Sequence, residues 1–168
     1  GVGYDGENQR VMHTGVKNLV VRGVSTVAQT VNGPTLPGLR GRSNYATSTR
    51  VSIRMFYVDV GGRLELSNLV LLEGDAYKSW QGQIATSVHD DGGAIHNKGA
   101  LLVGGCWFLG NYAYGRSGGG IANYGTTKVF GSTFTKNSAS YGGGSVANID
   151  EKSRTEIRFT TFDRDNSG

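Results

Sequence analysis

Four residues near the middle of the chain carry side chains that could bind a metal or transfer protons: His89, Asp90, Asp91 and His96. Carboxylates and imidazoles that lie close together are the usual groups of metal sites and of general acid–base catalysis. The two adjacent carboxylates would suit a calcium ion, and no other cofactor is suggested. The choice between a metal site, a catalytic site and an ordinary surface turn depends on the elements that hold these residues.

These residues stand at the start of a stretch, residues 91–165, that repeats three times. Ile95 precedes Ile121 by 26 residues, and Ile121 precedes Val146 by 25 residues. A period of this size is typical of a solenoid or a propeller-like array, in which each repeat packs on the next. The repeat therefore predicts the architecture more directly than any single motif does.

Aligning the stretch with itself separates the recurring residues from the variable ones. His96 takes the place of Ala122 and Ala147. We therefore interpret Asp90, Asp91 and His96 as variable, outward-facing turn positions, and expect no catalytic residue and no metal site there. The recurring positions are the aliphatic residues Ile95, Ile121 and Val146, the amides Asn97, Asn123 and Asn148, the rings Phe108, Phe134 and Phe162, and the second-corner amides Asn111 and Asn137.

Short alternating segments broken by glycine turns indicate strands, and no helical period is present. Because alternate residues of a strand point to one face, the recurring aliphatic and aromatic residues should face inward together. The asparagines should form hydrogen-bonded ladders at two corners. We predict an all-β parallel solenoid with three strands per coil, about 25–26 residues per coil and roughly six coils.

The whole chain, residues 1–168, is predicted to form one such domain, which we expect to be a segment of a longer protein. An Asn-Leu-Val sequence at Asn18 recurs at Asn68, about two periods later. Residues 31–46, rich in Gly, Pro, Asn and Ser, and residues 75–90 are predicted to be inserted loops. An insertion at one edge of a repeat array is a usual place for a binding surface.

Composition limits the classes of partner. The formal charge is +4, but residues 1–60 hold seven Lys/Arg against three Asp/Glu, whereas the remainder holds ten of each. Arg40, Arg42, Arg50 and Arg54 are irregularly spaced, so we expect a solvated surface and no nucleic-acid partner. The single cysteine, Cys106, excludes an intrachain disulfide framework. The sequence contains no run of 18 apolar residues, so we expect no direct insertion into a membrane.

Several aromatic residues lie near the predicted corners: Trp80, Tyr112, Tyr114 and Tyr124. Exposed rings at a corner can bind a glycan or a protein partner, whereas packed rings would only support the core. Both interpretations remain open for these four residues.

The GGAI sequence of residues 92–95 and the FxxN pattern of residues 108–111 and 134–137 resemble the paired motifs of chlamydial polymorphic outer-membrane protein passengers. The resemblance implies a right-handed parallel β-helix that is extracellular or on the cell surface. GGGSV at residues 142–146 and Phe162-x-x-Asp165 depart from the pattern.

Function is predicted from this architecture. We expect a non-enzymatic scaffold, adhesin, or subunit of a surface assembly or filament, whose C-terminal end receives a protein partner or further coils of the same or another chain. The alternative is a polysaccharide lyase, hydrolase or epimerase, since such enzymes also use this fold and paired carboxylates. Asp90 and Asp91 resemble the adjacent aspartates of pectin-degrading hydrolases, whose Gly-His-Gly and Arg-x-Lys companions are missing here.

Overall fold

The computed structural model describes residues 12–13, 18–23, 36–41, 54–76 and 91–167. Within these ranges every regular element is a β-strand. The described residues therefore contain no helix that is long and apolar enough to cross a membrane.

The strands are short and follow one another closely along the chain. In order they are β1 (Met12–His13), β2 (Leu19–Arg22), β3 (Gly38–Arg40), β4 (Phe56–Val58), β5 (Arg63–Ser67), β6 (Val70–Leu72), β7 (Asp75–Ala76), β8 (Ile95–Asn97), β9 (Ala100–Gly104), β10 (Trp107–Leu109), β11 (Tyr112–Ala113), β12 (Ile121–Asn123), β13 (Thr126–Phe130), β14 (Thr133–Thr135), β15 (Ser138–Ala139), β16 (Val146–Asn148), β17 (Arg154–Arg158), β18 (Thr161–Asp163) and β19 (Asn166–Ser167).

The described strands form four sheets, which we number in the order in which the chain enters them. Sheet I has the order β1-β4-β8-β12-β16, sheet II the order β2-β5-β9-β13-β17, sheet III the order β3-β6-β10-β14-β18, and sheet IV the order β7-β11-β15-β19. Every pairing in these sheets is parallel. The chain thus passes from sheet I through sheet IV and returns to sheet I one strand further along, which is consistent with a β-solenoid.

The prediction of an all-β chain with stacked parallel strands is confirmed, but the number of strands per repeat is wrong. The structure has four strands per repeat where the sequence predicted three. The additional strands belong to sheet IV and contain two residues each, as in Tyr112–Ala113. Two residues are too few to produce a readable alternation of apolar and polar side chains.

Inward side chains of sheets I, II and III form one apolar core. The strand Ala100–Gly104 alternates, with Leu101 and Val103 buried and Leu102 only partly so. Because strands of adjacent repeats pair without a register slip, each buried side chain lies over an equivalent one. The core includes Phe56, Leu64, Leu66, Leu71, Ile95, Leu101, Val103, Phe108, Ile121, Val129 and Phe134.

The two predicted insertions contain strands in their described parts. Within residues 31–46, Gly38–Arg40 pairs with Val70–Leu72 in sheet III. At the start of residues 75–90, Asp75–Ala76 pairs with Tyr112–Ala113 in sheet IV. Neither segment is a loop throughout. Each contains a short strand that pairs with a strand of the adjacent repeat and so extends its sheet. Residues 31–35, 42–46 and 77–90 lie outside the described residues.

The Asn-Leu-Val echo is also corrected. Leu19 pairs with Leu64 in sheet II, whereas Val70 pairs with Gly38 in sheet III. The two copies of the motif therefore occupy different sheets, and their likeness reflects a common composition of strand residues rather than equivalent positions.

The corner between sheets II and III uses a left-handed residue in each of the last four described repeats. Its φ is 55° at Asn68, 59° at Gly105, 52° at Gly131 and 50° at Phe159. Glycine adopts this conformation without steric cost, whereas a bulky residue such as Phe159 is held there under strain. The geometry of the corner is therefore set by the stacking of repeats and not by the residue that occupies it.

Candidate functional site

The described residues that could carry chemistry meet on the outer face of sheet I. Tyr57 in β4 and His96 in β8 have paired Cα positions. Their neighbours along each strand point into the core, so alternation directs these two rings to the opposite face. Asp91 lies just before β8, and Tyr124 follows β12.

Three rings stack on this face with His96 in the middle. The His96 ring lies 4.7 Å from that of Tyr57, with an interplanar angle of 5°, and 4.8 Å from that of Tyr124, with an angle of 26°. His96 is fully buried, and Tyr57 is 8% exposed. The Lys98 ammonium lies 5.5 Å from the centroid of the Tyr57 ring, within range of a cation–π contact.

Asp91 connects this stack to the adjacent turns. The Tyr124 hydroxyl donates to Asp91 Oδ2 at 2.5 Å, and the backbone N–H of Ser117 donates to Oδ1 at 2.9 Å. His96 Nδ1 lies 3.3 Å from the carbonyl oxygen of Asp91. The Asp91 carboxylate therefore connects the ring stack to the segment around Ser117, which precedes β12, in one hydrogen-bond network.

Arg54 brings a cation to the same region. It is 2% exposed, and its Nε donates to the carbonyl oxygen of Gly92 at 2.9 Å. The expectation that Arg54 belongs to a solvated basic surface is therefore wrong. Arg40, by contrast, lies on the surface, where it forms a bidentate pair with Glu73 at 2.7 and 2.9 Å.

The environment shifts the ionisation of Tyr124. Burial of the ring and then the hydrogen bond to Asp91 raise the pKa of Tyr124 well above its usual range, although the nearby Arg116 and Arg54 lower it. The neutral phenol is thereby favoured as a hydrogen-bond donor, which is what the contact with Asp91 requires. Burial also raises the pKa of the Cys106 thiol, which disfavours a reactive thiolate.

The expectation of exposed turn positions is wrong for Asp91 and His96, although the His96 ring does point to the outer face of sheet I, from strand β8. Both are buried, at 4% and 0% exposure. The self-alignment correctly put His96 opposite Ala122 but gave no information on what covers that face. Tyr57 and Tyr124 flank the His96 ring there. His89, Asp90 and Trp80 lie outside the described residues, so of the two carboxylates considered for a calcium ion only Asp91 has a described position.

Arg54 and Tyr57 were missed as members of this cluster. Arg54-Met55-Phe56 lacks the paired glycines that begin the later repeats, so its equivalence to Gly93-Ala94-Ile95 could not be read from sequence. The structure pairs Phe56 with Ile95 and thereby brings Tyr57 beside His96.

The other candidate rings lie in and directly after strand β11 of sheet IV. Tyr112 and Tyr114 meet edge to face, with centroids 5.9 Å apart. Tyr114 is 50% exposed, and Tyr141, in the following repeat, is 73% exposed. Tyr124 does not belong to this group of exposed rings, because its hydroxyl donates a hydrogen bond to Asp91 on the outer face of sheet I.

The first corner carries an amide ladder. Asn97 Nδ2 donates to Asn123 Oδ1 at 2.9 Å, and Asn123 Nδ2 donates to Asn148 Oδ1 at 3.0 Å. Asn97 and Asn123 are fully buried. The ladder satisfies polar groups that the stacking would otherwise bury at a cost.

The second corner carries a similar ladder that ends in a carboxylate. Asn111 Nδ2 donates to Asn137 Oδ1 at 2.8 Å, and Asn137 Nδ2 donates to Asp165 Oδ1 at 3.0 Å. The other carboxylate oxygen of Asp165 accepts a bond from Ser145 Oγ. Ser145 occupies the position of Ala94 and Gly120, so the two departures from the repeat, serine and aspartate, contact each other.

Aromatic rings stack along sheet III. The Phe108 and Phe134 centroids are 4.4 Å apart, and those of Phe134 and Phe162 are 5.1 Å apart. Ile121 pairs with Ile95 on one side and Val146 on the other. These columns, with the two ladders, make each repeat bind its neighbours through equivalent contacts.

Taken with the four parallel sheets, these columns define an all-β protein of stacked repeats, consistent with the solenoid class. Comparison with protein-family models, with curated proteins and with solved structures gives no match to this chain. Among the described residues there is no group of three or more His, Cys, Asp or Glu side chains that could hold a metal ion.

Replacing Tyr124 with phenylalanine should lower the free energy of unfolding by about 1.5 kcal/mol, because it removes a hydrogen bond to a charged acceptor. The raised pKa adds a pH dependence. The stabilisation is fully present below the ordinary tyrosine pKa of about 10 and is lost as the pH rises above it, so the difference between the two proteins should shrink in alkali. Urea unfolding at pH 7 and above pH 10 measures both effects.

Tyr141→Phe is the matched control, because Tyr141 is 73% exposed. It should change stability by less than about 0.5 kcal/mol. Equal effects of the two substitutions would contradict a stabilising role for the Tyr124–Asp91 contact.

Proposed function

We propose that this chain is a non-enzymatic structural module of the extracellular space or cell surface. In this proposal it forms a right-handed parallel β-helix of about 25–26 residues per coil and roughly six coils, of which the described strands account for five. It acts as a rigid scaffold, an adhesin, or a subunit of a surface assembly or filament. An experimental density map that reveals the sense of the turn tests the handedness, and a left-handed turn would overturn that part.

The observation that carries the proposal is the continuity of the ladders from repeat to repeat. Asn97, Asn123 and Asn148 form one chain of hydrogen bonds, and the rings of sheet III form one stack. Contacts that repeat at every step resist bending and twisting equally along the axis, as a rigid spacer requires. The chemically reactive side chains are used inside this scaffold, since Asp91, His96 and Arg54 are buried.

The surface location rests on the resemblance of residues 92–95 and 108–111 to surface-exposed repeats. The exposed rings of Tyr114 and Tyr141 support an adhesive role. Exposed aromatic rings at neighbouring corners suit the apolar faces of a glycan or a protein partner.

Small-angle X-ray scattering tests the structural role. At low concentration the chain should scatter as one compact particle. The chain should also release no new reducing ends or unsaturated products from polysaccharides. Sustained depolymerisation by the purified chain would overturn the non-enzymatic proposal.

One observation favours a second candidate, a polysaccharide-active enzyme. Asp91 contacts both Tyr124 and His96, and Arg54 lies nearby. Carboxylates, phenols and imidazoles are residue types used in acid–base catalysis. The test is Asp91→Asn, with the exposed Asp150→Asn as the control. The enzyme hypothesis requires cleavage of an anionic glycan by the natural chain and by the Asp150 variant, and its loss in the Asp91 variant. No cleavage by any of the three removes this candidate.

A further inference from the structure

We propose that a second copy of this chain docks head to tail on the edge formed by β16, β17 and β18, by adding its own β1, β2 and β3 in parallel. This proposal rests on the proposed scaffold function and deepens it by naming the partner. The outermost described strands of sheets I, II and III are β1, β2 and β3 at one edge and β16, β17 and β18 at the other. Edge strands present N–H and C=O groups that another strand can pair with.

The register of this addition follows from the pairs inside the molecule. In sheet II, Leu19 takes the position of Leu64 and Val21 that of Leu66. In sheet III, Leu39 takes the position of Leu71 and Arg40 that of Leu72. Continuing each column past the last described strand therefore assigns every residue of the next copy a specific neighbour.

Two apolar columns are incomplete at the β17–β18 edge. Ile157 is 39% exposed and Phe162 is 47% exposed, whereas Val129 and Phe134, one repeat before them, are fully buried. In the continued register Ile157 lies beside Val21 of the next copy. Phe162 lies beside Leu39 of the next copy.

Val21 and Leu39 are themselves only partly buried, and both pack against the core from the opposite edge. Stacking the two edges would bury apolar surface on both copies and extend the same columns that stabilise the interior. The occupant that fits the β17–β18 edge is thus present in the chain itself.

Phe159 gives a third complementary position. It is 91% exposed and is held in the left-handed region with φ of 50°. Its column continues to Gly23 of the next copy, because Arg22 pairs with the position of Ser67. A glycine has no side chain to obstruct the large ring, so the strained and exposed phenylalanine meets the smallest residue.

Charge complementarity supports the same register. Asp163 in β18 continues to Arg40 of the next copy. Arg40 is paired with Glu73 and Asp163 with Arg164 within one copy, and all four side chains lie at the surface, so the contact would join two existing pairs of opposite charge. One like-charged pair also arises, Arg158 beside Arg22 of the next copy. Arg158 is already paired with Glu156 in its own strand at 2.6 Å, which offsets that repulsion.

The geometry of this contact predicts a filament. The two described edges are different, so a bound copy can receive another copy at its opposite edge, and the association does not close. Sheet I contains five described strands. With about 4.8 Å between adjacent strands, each copy should add about 24 Å along the filament axis.

A charge-swap experiment tests the register. Asp163→Arg places two guanidinium groups at the contact, and Arg40→Glu places two carboxylates there, so each variant alone should associate at least about tenfold more weakly than the natural chain. A mixture of the two variants restores an opposite-charge pair where unlike copies meet and should recover association. Sedimentation velocity over a concentration series measures assembly, and electron microscopy measures the axial repeat.

The result that would overturn the proposal is a natural chain that stays monomeric at high concentration, or variants whose mixture assembles no better than either alone. Thermal unfolding of both variants checks that they remain folded. Asp59→Asn, at an exposed position between β4 and β5 and therefore outside both edge strands, should assemble as the natural chain does. A monomer that scatters as a compact particle and cleaves no glycan would leave the scaffold function standing while this proposal fails. A filament that cleaves glycan would do the opposite.

Discussion

Replacing Phe134 with alanine should lower the free energy of unfolding by about 3–5 kcal/mol. Phe134 is fully buried, and its ring is stacked between Phe108 and Phe162 at 4.4 and 5.1 Å. Removing it leaves a cavity that a solenoid cannot close easily, because the strands above and below are fixed by their own hydrogen bonds. Urea unfolding followed by circular dichroism measures the change.

Phe162→Ala is the matched control, since it occupies the same column in the adjacent strand of sheet III. Its ring is 47% exposed, so the same substitution should cost roughly half as much or less. Both variants should be measured in the Asp163→Arg background, which keeps the chain monomeric if copies stack. Equal losses at the two positions would contradict the view that burial within the column, and not the ring itself, determines the energy.

The comparison of these two phenylalanines bears on function as well as on stability. In a stack of repeats each repeat is stabilised mainly by its immediate neighbours, so a terminal repeat lacks about half of its contacts. Phe162 and Ile157 are in that position among the described strands. Adding another repeat therefore stabilises both the rod and the last repeat, which couples assembly to folding.

The columns of the later repeats were predictable because a parallel stack requires the same kind of side chain at the same step. The spacing of Ile95 to Ile121 and of Phe108 to Phe134 directly predicts the pairs that the structure contains. The asparagines follow the same logic, because an amide can both donate to one neighbour and accept from the other. A repeated requirement leaves a repeated signal in the sequence.

The earlier repeats and the ring stack on sheet I could not be predicted in this way. β2 and β3 lack the glycine pair and the Phe-x-x-Asn sequence, so nothing in the sequence fixes their register. Tyr57, His96 and Tyr124 come from three different repeats and occupy two different positions within them. A cluster that forms once leaves no periodic signal, and its burial depends on packing across repeats.

The paired glycines that begin each later repeat have separate physical roles. Gly118 adopts a left-handed conformation, with φ of 73°. Gly119 instead allows backbones to approach closely, since a methyl group added there would lie 2.3 Å from the carbonyl oxygens of both Gly144 and Ser138. Such a distance is well inside van der Waals contact, and both obstructing atoms belong to the backbone.

Gly119→Ala should therefore destabilise the chain by about 3 kcal/mol or more, because a backbone held by ladders on both sides must shift to admit the methyl group. Gly104→Ala is the matched control: an added methyl group there meets no atom within 4 Å, so its effect should stay within about 0.5 kcal/mol. Urea unfolding of the two variants under identical conditions gives the comparison. If Gly119→Ala were as stable as Gly104→Ala, the backbone around Gly119 would have to move easily away from Gly144 and Ser138. Such freedom between adjacent repeats would contradict the rigid-scaffold proposal.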